Sequence, residues 1–496
     1  MRNHSTISRR DFMKALGLGT AALGAAGIVA NDLDELISVG SDIDKSQKRP
    51  WYVKEVDEPT LEVDWSLQSR ADGRLTGQCV YWQNYYIGAA EVSRRSAEGS
   101  QFTASARASK TAGFRLRDIA FSSSSTAASS RVGGGSASST WGFIQKPSGT
   151  PLFQTLGYKW TGTPEESSVM LRTVLRVFGA GHVGFSVIDQ RSRTKFVLSH
   201  AKMGANSSTV WEPALEVAKK IDFDDSATLG YETSTQLVLP GATQLYDAAF
   251  TMPMIKQGFR AGGSFQSLSN GSRYRNMDYL QLQLQYFIAH IGWNMYGYPT
   301  DKGGLIPSQG AGMMTGLCEN ARNSGYSITP DFGTINGFFS LVTDMPLAST
   351  RPIDAGIWRF CHTCKKCAET CPFGSIPADK ETTWEPKING QIDKTHNPGR
   401  NQYWQNGPDC WTLMGTRGGC GICMGTCTFN TDGASVHEVV RATLATTSLF
   451  NGFLWRADKF FGYGMYEDAE KFWEIKYPTY GFDSDIGDVG GRYHRS

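Results

Sequence analysis

The chain is poor in charge and in long apolar runs, and both shortages limit what it can do. Only 19% of its 496 residues are charged, and the formal net charge is +2. A protein that binds nucleic acid obligately needs a basic face, so this composition argues against that class. After residue 30 no second apolar run approaches the about twenty residues that a transmembrane helix requires. The mature protein is therefore predicted to be soluble, with one large or two ordinary cores.

The first thirty residues show the pattern of a twin-arginine export signal. Arg9 and Arg10 lie in the motif SRRDFMK, and an Ala/Gly-rich apolar run follows from Ala15 to Ala30. This run is too short and too weakly apolar for a stable transmembrane helix, and it lacks the polar face of a soluble amphipathic helix. Export by the twin-arginine route usually moves folded proteins whose cofactors are already inserted.

Cysteine is scarce, yet most of it lies in one stretch, between Cys361 and Cys427. The first part of that stretch has the C-x2-C-x2-C-x3-C-P pattern of bacterial two-cluster ferredoxins, and the second is a looser copy with Thr428 in place of the proline. In this pattern three thiolates bind one cluster, and the fourth binds its neighbour. We therefore predict one 4Fe-4S cluster on Cys361, Cys364, Cys367 and Cys427, and another on Cys371, Cys410, Cys420 and Cys423.

The alternatives for these cysteines are zinc sites or disulfides. Zinc sites usually pair two C-x2-4-C or histidine knuckles, in which a third cysteine at x2 spacing has no place. Two adjacent clusters would instead indicate electron transfer. Cys79 and Cys318 lie outside both sets and are interpreted as buried structural thiols.

Hydrophobic periodicity predicts an α+β or α/β core after residue 161, with the ferredoxin-like insert appended. Thr163 and Glu166 form a capping box that predicts a helix of about fifteen residues up to Gly179. A second helix is predicted from about Arg275 to His290, with Gly292 as its stop. Short strands are predicted at residues 183–188, 195–199, 236–239 and 248–252.

Residues 95–140 are rich in serine and glycine, which predicts a flexible or irregular surface loop. Glycines are also frequent at residues 301–345, where they would allow close approach of a ligand or simply turn the chain.

Several motifs together resemble the corrinoid-dependent respiratory reductive dehalogenases, in particular their catalytic subunit. These motifs are the SRRDFMK leader, a WxGTPEE helix start followed by FGAGHVG, the run TDMPLASTRPIDAGIWRFC into the first cysteine set, and ATTSLFNGF after the second set. The similarity covers almost the entire chain and is densest from Trp160 to Gly452.

The resemblance implies an α+β fold in which a nitroreductase-like domain holds a cobalamin-type corrinoid without its lower base, and two 4Fe-4S clusters connect it to the surface. None of the eight histidines lies in an Asp-x-His-x-x-Gly arrangement that would ligate cobalt, which agrees with base-off binding. The implied reaction couples Co(I) attack on an organohalide to proton donation by a tyrosine beside a basic residue. Halogen would be replaced by hydrogen, or two vicinal halogens eliminated.

The resemblance places the proton-donating tyrosine at Tyr274. Many relatives have an arginine where this chain has Ser340, so the basic partner would be Arg322 or Arg275, or proton delivery would differ. A stretch that lies near the corrinoid in relatives corresponds to residues 316–324 here, with three glycines replaced. The candidate corrinoid contacts are Gly310, Gly312, Glu319 and Asn320.

The implied organisation has five parts. They are a signal peptide (1–30), an N-terminal region with the Ser/Gly-rich loop (31–140), a corrinoid-binding catalytic domain (141–350), a ferredoxin-like domain (351–435) and a C-terminal segment packing on the core (436–496). The implied partners are a small organohalide, a small integral-membrane anchor protein and a membrane electron donor, without nucleic acid. The implied location is the outer face of the cytoplasmic membrane, where the chain would serve anaerobic respiration.

Two other functions stay open at this point. An epoxyqueuosine reductase-like enzyme would combine a similar corrinoid domain and cluster pair, but the export signal and the low net charge oppose tRNA binding. An exported ferredoxin-type electron carrier would need no catalytic domain, whereas a long stretch precedes Cys361. Corrinoid content separates the carrier from the two enzymes.

Overall fold

The computed structural model describes most of the chain after residue 48. The predicted leader and residues 126–140 of the predicted loop lie outside the described residues. No helix in the described ranges combines the length and apolar character needed to cross a bilayer. The described ranges are 49–73, 75–125, 149–199, 244–298, 304–430, 435–460 and 464–477, with one short strand pair between 230 and 238.

Helices and strands alternate along these ranges. The helices are α1 Val80–Ile87, α2 Ala89–Ala108, α3 Leu116–Ser125, α4 Leu152–Leu156, α5 Pro164–Val177, α6 Gln190–Lys195, α7 Lys256–Ala261, α8 Ser264–His290, α9 Ser308–Met314, α10 Ile357–Thr363, α11 Lys366–Glu369, α12 Gly407–Gly415, α13 Ile422–Gly425, α14 Ser435–Thr446, α15 Asn451–Phe460 and α16 Lys471–Glu474. The strands are β1 Lys54–Glu55, β2 Glu62–Val63, β3 Val183–Ile188, β4 Gly230–Tyr231, β5 Leu237–Val238, β6 Leu245–Pro253, β7 Met295–Tyr296, β8 Glu319–Asn320, β9 Ser327–Ile328, β10 Asn336–Thr343, β11 Ile353–Asp354, β12 Lys387–Ile388, β13 Gln391–Ile392 and β14 Arg400–Asn401.

The centre of the fold is an antiparallel sheet with strand order β3-β6-β10-β7. Its longest ladder joins β10 to β6, from Asn336 opposite Pro253 to Thr343 opposite Tyr246. Every residue of β10 is buried, because other elements cover both faces of this strand. The strands predicted at 183–188 and 248–252 are confirmed, and the combination of helices and sheet confirms a mixed fold.

Helix α8 is the longest element and packs on this sheet. Its Leu280, Leu284 and Ile288 lie in one apolar core with Phe185 of β3 and Phe250 of β6. The predicted end is confirmed, since the helix stops at His290 before a glycine with φ +95°. The predicted start was eleven residues late, because the first turns contain serine, asparagine and glycine instead of an apolar stripe.

Helix α5 begins at the predicted capping box. The hydroxyl of Thr163 accepts a hydrogen bond from the Glu166 N–H at 3.2 Å, and the Glu166 carboxylate accepts one from the Thr163 N–H at 2.8 Å. Both contacts satisfy amides that a helix start leaves unpaired. The prediction of this helix is confirmed.

Two local predictions were wrong. Residues 195–199 do not form a strand: Asp189 caps α6 by accepting from the Ser192 N–H at 2.8 Å, and the chain leaves that helix in a turn. Residues 95–108 and 116–125 are helical instead of a loop. Alanine, arginine and glutamate favour helix in α2, and the close approach of Gly99 to the backbone of Gly415 packs it on α12.

The residues from Cys361 to Cys427, called the cysteine segment below, share their apolar core with the rest of the described chain. One buried cluster joins Tyr52 near the N-terminal end, Phe338 of β10, Phe360 of α10, Tyr403 and Leu454 of α15. Two short strand pairs attach residues 54–63 to this part of the chain: β1 pairs with β11 just before the cysteine segment, and β2 pairs with β14 within it. The cysteines are thereby fixed against the sheet.

Candidate active site

A cavity of 840 Å³ lies between the central sheet, α8, α9 and the cysteine segment. It is called the central cavity below. Its walls come from several separate parts of the sequence, including Trp65, Met277 of α8, Gly310 of α9 and Trp411 of α12. A site of this size accepts a large organic ligand.

Tyr274 of α8 lines the central cavity and is 45% exposed. Arg273 donates a hydrogen bond from Nη2 to the Tyr274 phenol oxygen at 2.9 Å, and its guanidinium lies 4.6 Å from the centre of the tyrosine ring. The ring edge of Phe339 completes the contact, with ring centres 5.9 Å apart. The structure thus places the predicted tyrosine at a cavity wall, beside a cation that the sequence analysis missed although it is the preceding residue.

Arg322 has a different role from the one expected. Its side chain is almost fully buried, and its guanidinium lies 3.8 Å from the ring centre of Tyr403. It donates at 2.9 to 3.1 Å to the backbone carbonyls of Cys361, His362, Cys364, Pro377 and Asp379. All three guanidinium nitrogens are used in this way, which corrects the expectation that Arg322 assists Tyr274. The other expected partner, Arg275, donates to Asn276 Oδ1 at 3.1 Å.

The four candidate corrinoid contacts separate into two pairs. Gly310 and Asn320 line the central cavity, and Asn320 donates to Gln402 at 3.0 Å. Gly312 is buried, and a Cβ there would lie 2.8 Å from the Phe338 ring, so this glycine serves packing.

Glu319 is also buried, and its carboxylate is engaged away from the cavity. It accepts from the Thr60 hydroxyl at 2.7 Å and from the N–H groups of Ala355 and Ile357 at 2.8 and 3.0 Å. These contacts hold the start of α10, and burial raises the pKa of this carboxyl. The expectation of cofactor contact is therefore corrected for Glu319 and Gly312.

Ser340 lies at the position where the resemblance led us to expect a basic residue. Its hydroxyl donates to the carboxylate of Asp247, which is buried in β6. Burial raises the pKa of Asp247 to about 7, and the Ser340 hydrogen bond opposes that rise. The Ser340 N–H donates at 3.3 Å to the phenol oxygen of Tyr298, which lines the cavity. At position 340 the sheet therefore carries a neutral hydroxyl that is hydrogen-bonded to the Asp247 carboxyl, in place of a basic side chain.

The structure brings the predicted first cluster ligands together. Cys361, Cys364, Cys367 and Cys427 line one small space, with Cys423 at its border. Burial raises the pKa of the Cys367 thiol well above its usual range, and Cys361, Cys364 and Cys427 raise it further. The buried ammonium of Lys366 lies beside this group and pairs with Asp458.

The other four cysteines form a second neighbourhood. Burial raises the pKa of Cys410 to about 12, and the next largest contributions come from Cys420 and Cys371. Burial also raises the pKa of Cys423, and the thiols of Cys420, Cys410 and Cys371 raise it further. The ten cysteines form no disulfide.

No three His, Cys, Asp or Glu side chains of the described residues converge closely enough to hold a single metal ion. A 4Fe-4S cluster needs a different arrangement, in which four thiolates each bind a separate iron.

The second cysteine group borders the central cavity. Trp411 follows Cys410 directly and lines the cavity, and Tyr326 lines the cavity while packing with Cys423 in one apolar cluster. The two aromatic side chains thus separate the second group of thiols from the cavity. The first group lies next to α15, where Lys366 pairs with Asp458.

Comparison with known proteins gives relatives over nearly the whole chain. It is 27% identical over 540 residues to the chloroethene reductive dehalogenase of Dehalococcoides mccartyi strain VS, covering 97% of this chain and 99% of that protein. It is 28% identical over 575 residues, with the same coverage, to a trichloroethene reductive dehalogenase from another strain of that organism. The tetrachloroethene reductive dehalogenase of Sulfurospirillum multivorans is 29% identical over 329 residues, covering 66% of this chain and 62% of that protein.

Solved structures show the same fold. A catabolic reductive dehalogenase superposes with a TM-score of 0.55 at 14% identity, over 83% of this chain and 49% of that one, so this chain spans about half its length. A reductive dehalogenase structure described as suggesting a mechanism for B12-dependent dehalogenation gives a TM-score of 0.54.

The family model described as reductive dehalogenase subunit matches residues 48–347, which is more than half of the 496 residues. The match includes the sheet, α8 and most of the walls of the central cavity. This chain therefore belongs to the reductive dehalogenase family, whose members are oxidoreductases.

Proposed function

We propose that this chain uses a corrinoid and two 4Fe-4S clusters to remove halogen from a small organohalide. The observation that supports this most strongly is the central cavity, which has the Tyr274 phenol on one wall and the second cysteine group behind another. Proton and electrons can then reach one reacting centre from different sides. In this proposal the sheet and α8 form a nitroreductase-like core, and residues 351–435 form a ferredoxin-like unit.

The lining of the cavity fits a corrinoid. Four lining side chains have a buried polar atom without a hydrogen-bond partner among the described residues, namely Gln68 Oε1, Arg273 Nε, Asn336 Oδ1 and Arg400 Nε. Each buried unpaired group costs about 1–3 kcal/mol, so the site suits a ligand with many polar groups. The amide side chains of a corrinoid offer both donors and acceptors. When bound, it would supply the electron-transfer chemistry that breaks a carbon–halogen bond.

The cysteine neighbourhoods support the two predicted ligand sets. Cys361, Cys364, Cys367 and Cys427 would hold the cluster beside α15, where electrons enter. Cys371, Cys410, Cys420 and Cys423 would hold the cluster behind Tyr326 and Trp411, next to the cavity. Iron–sulfur clusters at such positions form a relay of single-electron carriers.

The chain's own side chains would supply the proton and the surface that contacts the substrate. Tyr274 is the proposed proton donor, since its phenol faces the cavity. Phe338, Phe339 and Met277 present an apolar wall that accepts an uncharged substrate and keeps water away from the reacting carbon.

Chlorinated ethenes are the proposed substrates, because the relatives described above are named for them. We further propose that the chain is exported by its twin-arginine leader and acts at the outer face of the cytoplasmic membrane. There a small membrane protein would anchor it, and a membrane donor would supply the electrons of anaerobic respiration.

The test is anaerobic purification and reconstitution with cobalamin, iron and sulfide. We expect about one cobalt and eight irons per chain, together with a base-off cob(II)alamin EPR signal. Reduced viologen should then drive chloride release from chlorinated ethenes, with chlorinated ethanes and benzenes assayed for comparison. About eight irons without cobalt or halide release would contradict the proposal and indicate an electron carrier.

A further inference from the structure

The hydrogen bond between Arg273 and Tyr274 joins neighbouring residues of one helix. Successive side chains of an α-helix point about 100° apart, so such neighbours do not normally meet. Here the arginine folds back over the tyrosine ring, donates from Nη2 to the phenol oxygen, and lines the same cavity. The arrangement needs a specific support.

Gly337 of β10 provides that support. A Cβ at position 337 would lie 2.4 Å from Arg273 Cδ and 3.2 Å from Arg273 Cβ, so only glycine leaves room for the arginine stem. No carboxylate of the described residues forms a salt bridge with Arg273. Its charge is thus directed to the tyrosine and to the cavity.

The sheet supplies no alternative cation nearby. Three residues beyond Gly337, the Ser340 hydroxyl is bound to the Asp247 carboxylate. An arginine in that place would have to displace this contact. Within the sheet and α8, the cation that contacts the tyrosine is therefore Arg273.

We propose that Arg273 is the positioning residue for proton delivery by Tyr274. This inference rests on the proposed function. Replacement of halogen by hydrogen breaks a carbon–halogen bond, forms a carbon–hydrogen bond, and consumes two electrons and one proton while a halide leaves. The Tyr274 phenol gives that proton, Arg273 stabilises the phenolate that remains, and water returns the proton.

Elimination of two vicinal halogens, the second possible reaction, distinguishes a role of Arg273 in proton delivery from a purely structural role. Elimination of two vicinal halogens breaks two carbon–halogen bonds, forms one carbon–carbon π bond, consumes two electrons and releases two halides without any proton. Variants that only disturb proton delivery should slow the first reaction and spare the second.

The experiment compares two probes on the reconstituted full chain. Trichloroethene reports replacement of chlorine by hydrogen, and conversion of 1,2-dichloroethane to ethene reports elimination. Arg273→Gln and Tyr274→Phe should lower kcat for trichloroethene by about 100-fold, the usual size of a general-acid contribution, with KM little changed. Conversion to ethene should stay within about two-fold of wild type, because no proton is needed.

Three further variants sharpen the comparison. Arg273→Lys keeps a cation and should restore part of the trichloroethene rate. Gly337→Ala displaces the arginine without removing its charge and should lower the same rate. Arg107→Gln, at an exposed position of α2, is the control and should match wild type in both reactions. Cobalt and iron contents are measured for every variant, and each rate is expressed per bound cobalt.

Three outcomes would overturn the inference. The first is an equal loss in both reactions, and the second is a rise in KM without a fall in kcat. The third is a larger effect from Arg275→Gln than from Arg273→Gln. If wild type converts only trichloroethene, the kcat loss in Arg273→Gln and its rescue by Arg273→Lys decide the matter. A wild-type protein inactive on both probes would instead refute the proposed function.

Discussion

At the scale of single residues, the same side-chain type serves different purposes according to its partners. Arg273 and Arg322 are both arginines close to the proposed cofactors. Arg273 has a phenol as its partner and faces the cavity, whereas Arg322 binds five carbonyls and is closed off from it. Composition and spacing do not distinguish the two.

Replacing Arg322 should remove iron while leaving the cavity intact. In Arg322→Gln several of the five carbonyls would lose their donor, at about 1–3 kcal/mol for each buried group. We expect the iron content to fall from about eight toward about four per chain, with cobalt retained. Arg322→Lys offers fewer, differently arranged donors and should lose less iron than Arg322→Gln. An unchanged iron content in Arg322→Gln would contradict this role.

Asp247 should make stability depend on pH. Burial raises its pKa to about 7, whereas the unfolded chain has a value of about 4, so the folded state binds more protons between these pH values. Stability should therefore decrease as pH rises through that window, by up to about 1.4 kcal/mol per unit. Asp247→Asn removes the ionisation and keeps an acceptor for Ser340.

The measurement is the apparent melting temperature of wild type and Asp247→Asn from pH 4 to 8. The difference should be small near pH 4, should increase in favour of the variant up to about pH 7, and should then level off. A difference that is constant across this range would show that Asp247 does not titrate as expected.

At the scale of elements, the start of α10 is decided by a residue outside its own sequence neighbourhood. Glu319 of β8 accepts from the backbone N–H groups of Ala355 and Ile357, and a carboxylate at a helix N-terminus also interacts favourably with the helix dipole. Since α10 contains Cys361, the position of the first thiol depends on β8.

Glu319→Gln should weaken this attachment. Ala355 and Ile357 both donate to Oε2, so the amide oxygen can keep these two contacts. The amide nitrogen cannot accept from the Trp358 N–H, which lies 3.4 Å from Oε1, and this buried group is left unpaired at about 1–3 kcal/mol. We expect a lower apparent melting temperature and a partial loss of iron. Glu381→Gln is the matched control, because Glu381 lies in the cysteine segment but is 81% exposed. Equal behaviour of the two variants would refute a specific role for Glu319.

At the scale of the whole molecule, one continuous core connects the N-terminal residues, the sheet, the cysteine segment and α15. This core includes Cys361, Cys364 and Cys427 of the first cysteine group, and a separate apolar cluster holds Cys423 of the second group against Tyr326 at the cavity wall. The proposed electron path depends on both, because a ferredoxin unit on a flexible attachment would not keep the distance between the cysteine groups and the cavity constant.

The proposed assignment, in which each cysteine motif supplies its last thiolate to the other motif's cluster, can be tested with single substitutions. Cys364→Ala and Cys427→Ala change residues far apart in sequence but should remove the same cluster. Both variants should retain about four irons and give the same EPR spectrum for the remaining cluster. Cys371→Ala should leave the other cluster, with a different spectrum. If Cys371→Ala and Cys364→Ala leave the same spectrum, the assignment is wrong.

The sequence by itself determined the features that depend on near neighbours. The capping box of α5, the glycine stop after α8 and the 183–188 strand follow from local hydrogen bonding and periodicity. The cysteine spacing and the motifs around it sufficed to recognise the family. Local composition failed at residues 95–108 and 116–125, where serine content suggested a loop although α2 packs on α12 and α3 packs on α8.

Only the tertiary structure decided which polar groups meet. Glu319 was expected at the cofactor and holds α10, Arg322 was expected at Tyr274 and holds the cysteine segment, and Arg273 was overlooked. The physical reason is that a buried hydrogen bond depends on which elements approach each other, as when β10 admits Arg273 at Gly337. Such approaches join residues tens of positions apart, and no local pattern encodes them.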